Sequence, residues 1–223
     1  MEIILDNIFR GQLWTNYLFL LTGIVGLCQY KKFRILSLRL FILAFAYFAL
    51  SDFLSLFYGR TWGGGSNALI FNISYIISFA SLFYIFHSHI SSRRFQLFIK
   101  YMFGVYILLV FVDLLFLNFD YHKEYQVWPY VVGGITVLIS VLFYFYEVLN
   151  SEKLVALERN FIFWVGVGYF FYFLAKVPFV VKKNVYTNNP EYLYMFELNI
   201  IMTIILRISL IIGFLWSRNQ EKS

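Results

Sequence analysis

Nine side chains able to carry charge sit inside stretches otherwise apolar enough to cross a bilayer: Arg39, Asp52, His87, His89, Asp113, Glu147, Lys176, Glu197 and Arg207. A charge in hydrocarbon is costly, so such residues face a bundle interior, pair with one another and mark a binding or transport path. Depth along the chain sorts them into two layers. Asp52, Asp113, Lys176 and Glu197 fall toward one side of the membrane, at the level of Asn72 and Asn199. Arg39, His87, His89 and Glu147 fall toward the other. Arg207 lies near the middle of its stretch, the most expensive depth, and leads the candidates for function. The alternative for it is a structural salt bridge to Glu147 or to a separate protein.

The first layer sets three carboxylates against one ammonium. Such an acidic layer is expected to attract a cation or to hold a proton on one carboxyl, because burial and a neighbouring like charge both favour the neutral acid. Asp52, Asp113 and Glu197 are therefore expected to bind a coupling proton or cation. Asn72 and Asn199 would orient a polar substrate, and Arg207 would gate the path or bind an anionic group. Lys176 pairs with Asp113 or with Asp52. In the second layer, His87, His89 and Arg39 are expected to reach the headgroup level. His-x-His on a helix points the two rings about 200° apart, so the pair is ill placed to share a metal. His122 falls in a loop and Cys28 is the only cysteine. The expectation is no metal, no internal disulfide and no cofactor. No nucleophile–base pair stands out, so the chain is not expected to be an enzyme.

The elements that must position these groups are transmembrane helices. Of the 223 residues, 61% are hydrophobic and 13% charged, against about 25% charged in soluble domains. Seven runs, at residues 12–30, 35–58, 69–90, 97–118, 130–150, 161–181 and 194–217, have the length that a helix needs to span roughly 30 Å of hydrocarbon. Non-alternating runs such as Ile107 to Val112 exclude a β-barrel. The acidic first residues carry no basic n-region, so the first helix is expected to act as an uncleaved insertion signal. The chain reads as all-α: a single seven-helix transmembrane domain over residues 1–223.

Basic residues orient it. Alternate loops gather Lys31, Lys32, Arg34, Arg93, Arg94, Lys153, Arg159, Arg218 and Lys222 on one side, against Arg10, Arg60, Lys123, Lys182 and Lys183 on the other. The positive-inside rule then puts the N-terminus outside and the C-terminus in the cytoplasm of a bacterial inner membrane. The net charge of +6 reads as topology and as contact with anionic lipid headgroups, with no need of nucleic acid. Trp14, Trp62 and Trp128 fall at outer helix ends, and Trp164 and Trp216 at inner ends, as an interfacial aromatic belt requires. Gly63-Gly64-Gly65-Ser66 reads as a flexible turn, because no Gly-Lys-Ser/Thr follows it. Gly133-Gly134 and the pair Gly166 and Gly168 read as close helix contacts.

Residues three and four apart share a helix face. Polar stripes follow that spacing: Tyr47, Ser51 and Ser55 with Asp52 beside them; Ser74, Ser78, Ser81 and Ser88; Tyr106 and Asp113; Thr136, Ser140, Tyr144 and Glu147; Tyr169, Tyr172 and Lys176; Asn199, Thr203 and Arg207. They either converge on a cavity or form hydrogen bonds that only hold the bundle together. An internal echo links helices one to three with five to seven, "AFAYFALSDFLSLF" with "GVGYFFYFLAKVPF" and "FNISYII" with "LNIIMTII". Parallel triple-helix repeats joined by an inverting fourth helix are one transporter plan.

"LSDFLSLFYGR", "LISVLFYFYEVL", "FIFWVGVGYFFYF" and "LIIGFLW" together resemble a family of uncharacterised small seven-helix bacterial integral membrane proteins. That resemblance implies the fold and no activity. Asn72 and Asn199 also bear a weak similarity to the paired asparagines of SWEET and PQ-loop transporters, without the helix-bending prolines of that group; Pro178 alone lies within a span. Microbial rhodopsins need a lysine in helix seven and ceramidase-like hydrolases need histidines there, and this helix has neither. The expected function is transport or binding of a small solute or ion through an outward-opening polar cavity. The alternative is a ligand-sensing or accessory subunit acting through a protein partner or as a homo-oligomer.

Overall fold

The computed structural model describes residues 2–61, 66–116, 121, 123–151, 157–188 and 194–217. Trp62, Gly63 to Gly65, His122, Lys153, Arg218 and Lys222 lie outside the described residues, as do the side chains of Arg10, Arg60 and Lys183. Among the described residues seven α-helices follow one another: α1 Glu2–Cys28, α2 Leu36–Thr61, α3 Ala68–His89, α4 Arg93–Phe116, α5 Val127–Leu149, α6 Phe161–Asn188 and α7 Tyr194–Trp216. A 3-10 turn, Tyr30–Lys32, links the first two. The helices α2 to α7 are each long and apolar enough to cross a membrane; in α1 the apolar stretch is Leu13–Cys28. The chain is a multi-pass helical membrane protein by length and composition.

The helix starts differ from the apolar runs for local reasons. Hydropathy places the fourth helix at residue 97, but α4 begins at Arg93. The Glu147 carboxylate of α5 accepts hydrogen bonds from the backbone N–H groups of Ser91 (2.6 Å) and Ser92 (2.7 Å). A carboxylate there satisfies amides that would otherwise be orphaned and complements the positive end of α4. At the other end of α7, Lys32 Nζ donates to the carbonyls of Phe214 (2.9 Å) and Leu215 (3.1 Å), a cation on a helix C-terminus. Burial pulls the Lys32 ammonium below its ordinary pKa.

Six helices close a ring, α1–α2–α3–α5–α6–α7 and back to α1, while α4 packs outside it against α3 and α5. Exchanging α1 with α5, α2 with α6 and α3 with α7 maps the contacts within the ring onto themselves, but not those of α4. That is the arrangement expected of two three-helix halves joined by a fourth helix. Half of the most apolar stretch of α5 is buried, against 22% of that of α4, whose Leu108, Phe111 and Leu115 stand exposed. An apolar face of this extent suits lipid rather than water.

Glycines allow the close approaches. A Cβ on Gly133 would meet the Phe79 ring at 2.9 Å, and one on Gly134 would meet Val177 at 2.7 Å. On Gly168 it would meet Leu206 at 2.9 Å, and on Gly166 the Phe145 ring at 3.1 Å. Rings fill much of the interior. Phe41 packs on Tyr169 and Phe161, Phe161 stacks on Phe214, and Phe79 stacks on Phe173.

Candidate functional site

Five helices bring polar side chains together toward one end of the bundle. Thr15, Asn16 and Phe19 come from α1, and Asp52 and Ser55 from α2. Asn67, Phe71 and Tyr75 come from the start of α3, Tyr172 and Lys176 from α6, and Asn199, Thr203 and Arg207 from α7. They line a cavity of about 320 Å³, toward the small end of the roughly 300–1,000 Å³ typical of ligand sites. The lining uses early parts of α3 and α7 and later parts of α2 and α6, as neighbours of alternating direction require.

Arg207 is the deepest of the α7 contributors and is 5% exposed. Its guanidinium carbon sits 3.4 Å from the centroid of the Phe19 ring and 5.5 Å from that of Phe45. A desolvated cation over an aromatic face gains about 2 kcal/mol. That offsets most of the roughly 2.5–3.5 kcal/mol that insertion scales assign to arginine at mid-helix. Stacking occupies the flat face and leaves the in-plane N–H donors for another partner. Arg207 Nε finds no acceptor among the described residues. The Asp52 charge acts on both Arg207 and Lys176, and the Lys176 ammonium also sits 5.4 Å over the Phe179 ring.

Of the sequence candidates, Asp52, Lys176, Asn199 and Arg207 meet here. Asp113, Glu197 and Asn72 do not. Asp113 is buried on α4, the helix outside the ring. Lys176 therefore shares its surroundings with Asp52 rather than Asp113. Glu197 is exposed in the first turn of α7, where a negative charge suits the helix dipole. Asn72 is fully buried, but its amide is already used: Nδ2 donates to the carbonyls of Glu124 (2.8 Å) and Tyr121 (3.2 Å), and Oδ1 accepts from the Gln126 N–H (3.1 Å). Next to it Ser66 Oγ donates to the Lys123 carbonyl and the Tyr125 hydroxyl donates to Asn67 Oδ1. Burial raises the pKa of Tyr121 and Tyr125, so both hydroxyls stay protonated at neutral pH. This cluster fastens the α4–α5 connection to the start of α3.

The charge balance is thus corrected. Among the described residues, Asp52, Lys176 and Arg207 are the charged groups that line the cavity, and of the acidic layer expected to set three carboxylates against Lys176 only Asp52 joins it, because helix position rather than depth decides which charges meet. The second layer is divided too: His89 and Glu147 line one pocket, apart from the cavity that holds Arg207. Glu147 holds the turn before α4 and is not the counter-ion of Arg207. Arg39 Nε donates to the Phe33 carbonyl (2.7 Å), and His89 Nδ1 pairs with the Ile85 carbonyl (2.8 Å). Among the described residues no three His, Cys, Asp or Glu side chains come together as a metal site would need.

The polar stripes divide between the two meanings. On α3 and α5 several hydroxyls bond back to their own helix: Ser74 to Ile70, Ser81 to Ser78, Thr136 to Val132 and Ser140 to Thr136. Those four hydroxyls are locally satisfied, whereas Ser78 Oγ and the Tyr144 hydroxyl of the same stripes find no partner among the described residues. From the α2, α6 and α7 stripes, Ser55 with Asp52, Tyr172 with Lys176, and Asn199, Thr203 and Arg207 line the cavity, with Ser55 and Thr203 also bonding back to their own helices. Sequence reasoning missed Thr15, Asn16 and Phe19 on α1, and Tyr75. The signal was present: Thr15, Phe19 and Thr22 recur at helical spacing, and all three are buried. Comparison of the chain with protein-family models, with curated proteins and with solved structures finds no match.

Proposed function

We propose that this chain crosses a bacterial inner membrane seven times, N-terminus outside, and binds a small organic anion in the Asp52–Lys176–Arg207 cavity for transport. One observation carries the reading: a buried guanidinium, stacked on Phe19, whose Nε finds no acceptor among the described residues. An unmet charged donor beside a second cation favours a carboxylate or phosphate, since hydrogen bonds between ionised partners are the strong ones. Asp52 keeps the excess of positive charge small, which suits a ligand that must also leave.

The aromatic packing of Phe41, Phe161 and Phe214 elsewhere in the ring favours a second reading. A cavity shut off on one side suits a ligand-sensing subunit that works through a partner protein. Calorimetry on the purified chain with acetate, phosphate and butylammonium tests the shared element. Binding of an anion, with butylammonium silent, is the expected result; binding of butylammonium alone would overturn the assignment. Flux of that anion into proteoliposomes then separates the two readings.

A further inference from the structure

We infer, building on the anion reading above, that the anion carries an apolar tail, and that the tail lies in a groove between α3, α5 and α6 adjoining the polar cavity. This groove has a volume of about 740 Å³, more than twice that of the cavity. Phe71, Tyr75 and Lys176 line both spaces, so each begins where the other ends. Beyond Lys176 the groove is walled chiefly by rings and aliphatic chains, with Trp128, Tyr130, Phe179 and Val180 among them.

Lys176 is placed for such a ligand. Its ammonium lies 5.4 Å over Phe179, a groove residue, while its charge acts on Asp52, a cavity residue. The positive groups therefore stand at the junction and in the cavity, and the apolar surface lies to one side of them. Tyr75 lines both spaces at their junction, its ring stacked on Phe71 (5.9 Å) and set edge-on to Tyr130 (4.8 Å) and Phe48 (5.7 Å). The rim is built rather than loose. Asn72 fixes Tyr121, Glu124 and Gln126 by three hydrogen bonds, and Glu124 and Gln126 line the groove. A hydrophilic anion would leave this larger space unfilled, whereas an amphiphile fills both. The ligand class is a carboxylate or phosphate monoester on an alkyl or aryl chain, drawn from water or from the bilayer.

The test is equilibrium dialysis of the full chain in phosphatidylcholine nanodiscs against acetate, butanoate, hexanoate and octanoate, with protein-free nanodiscs subtracted. Affinity should rise by up to about fourfold per added methylene, the factor for burying one CH₂. Val180→Trp, which fills the groove, should flatten that rise; Val127→Trp at the rim repeats the test if the first variant does not fold. Arg207→Gln should weaken every member of the series. A flat series in the native chain, with acetate still bound, would sink the tail and spare the anion site. A rise that survives both tryptophans would put the tail elsewhere and equally overturn the proposal. Failure of every carboxylate and of phosphate to bind would remove the anion reading itself. Native mass spectrometry assigns the source: a co-purifying acidic lipid displaced by octanoate marks the bilayer, and its absence with the rise intact marks water. Either result upholds the tail.

Discussion

Replacing Arg207 with methionine separates a ligand site from a bundle-holding ion pair. Methionine keeps much of the length and removes the charge. On the stability side, the change abolishes a cost of roughly 2.5–3.5 kcal/mol for a cation at mid-helix. It also abolishes about 2 kcal/mol of attraction to the Phe19 ring, 3.4 Å from the guanidinium carbon. The balance is about 0.5–1.5 kcal/mol in favour of methionine, so Arg207→Met should be no less stable than the native chain. Asp52 keeps Lys176 as a partner charge in that variant. Binding behaves differently. Each hydrogen bond to a charged group contributes about 1.5–3 kcal/mol, and a guanidinium can make two to one carboxylate. The loss of both corresponds to a fall in affinity of about a hundredfold or more. Thermal unfolding in detergent and calorimetry with butanoate read the two sides. Unfolding weakened by about 3–5 kcal/mol, the cost of breaking a buried ion pair, would refute the argument. So would unchanged affinity.

Two further outcomes are expected. Glu147→Gln should destabilise by about 1–2 kcal/mol, because a neutral amide holds the Ser91 and Ser92 N–H groups less tightly and the site is partly exposed; an unshifted melting temperature would show that this carboxylate is not what starts α4. In a Cys28→Ser background, a cysteine at Lys123 should react with an impermeant maleimide from outside the cell and one at Arg94 only after lysis. The reverse pattern would invert the proposed topology.

Helix number was legible in the sequence, because bilayer thickness fixes the length of an apolar run. Residue depth was legible for the same reason, and it put Asp52, Lys176, Asn199 and Arg207 at workable levels. Azimuth was not. Asp113 has the right depth, but it rides on α4, and nothing in its own stretch tells that α4 packs outside the ring. The asparagine echo failed differently. Asn72 and Asn199 occupy matching places in the two halves, yet Asn72 is taken up by loop carbonyls more than forty positions away in the chain, a pairing that only folding reveals. Nor could hydropathy foresee α4 starting at Arg93, since the group that makes this possible, Glu147, belongs to α5. Phe19 shows what apolar bookkeeping leaves out: a ring on the first helix that serves as the companion of a charge on the last.

The twofold contact pattern has a mechanical consequence. Its two seams, α1 against α7 and α3 against α5, divide the polar groups unequally: Asp52, Thr15 and Asn16 belong to the first three helices, Lys176 and Arg207 to the last three. If the proposed anion touches both sets it would act as a clasp between them, and its departure would leave the Asp52 carboxylate and the Phe19 ring as the partners of Arg207 across the α1–α7 seam. Under the proposed function, occupancy and the angle between the two halves would be linked quantities, and whatever shifts one would shift the other.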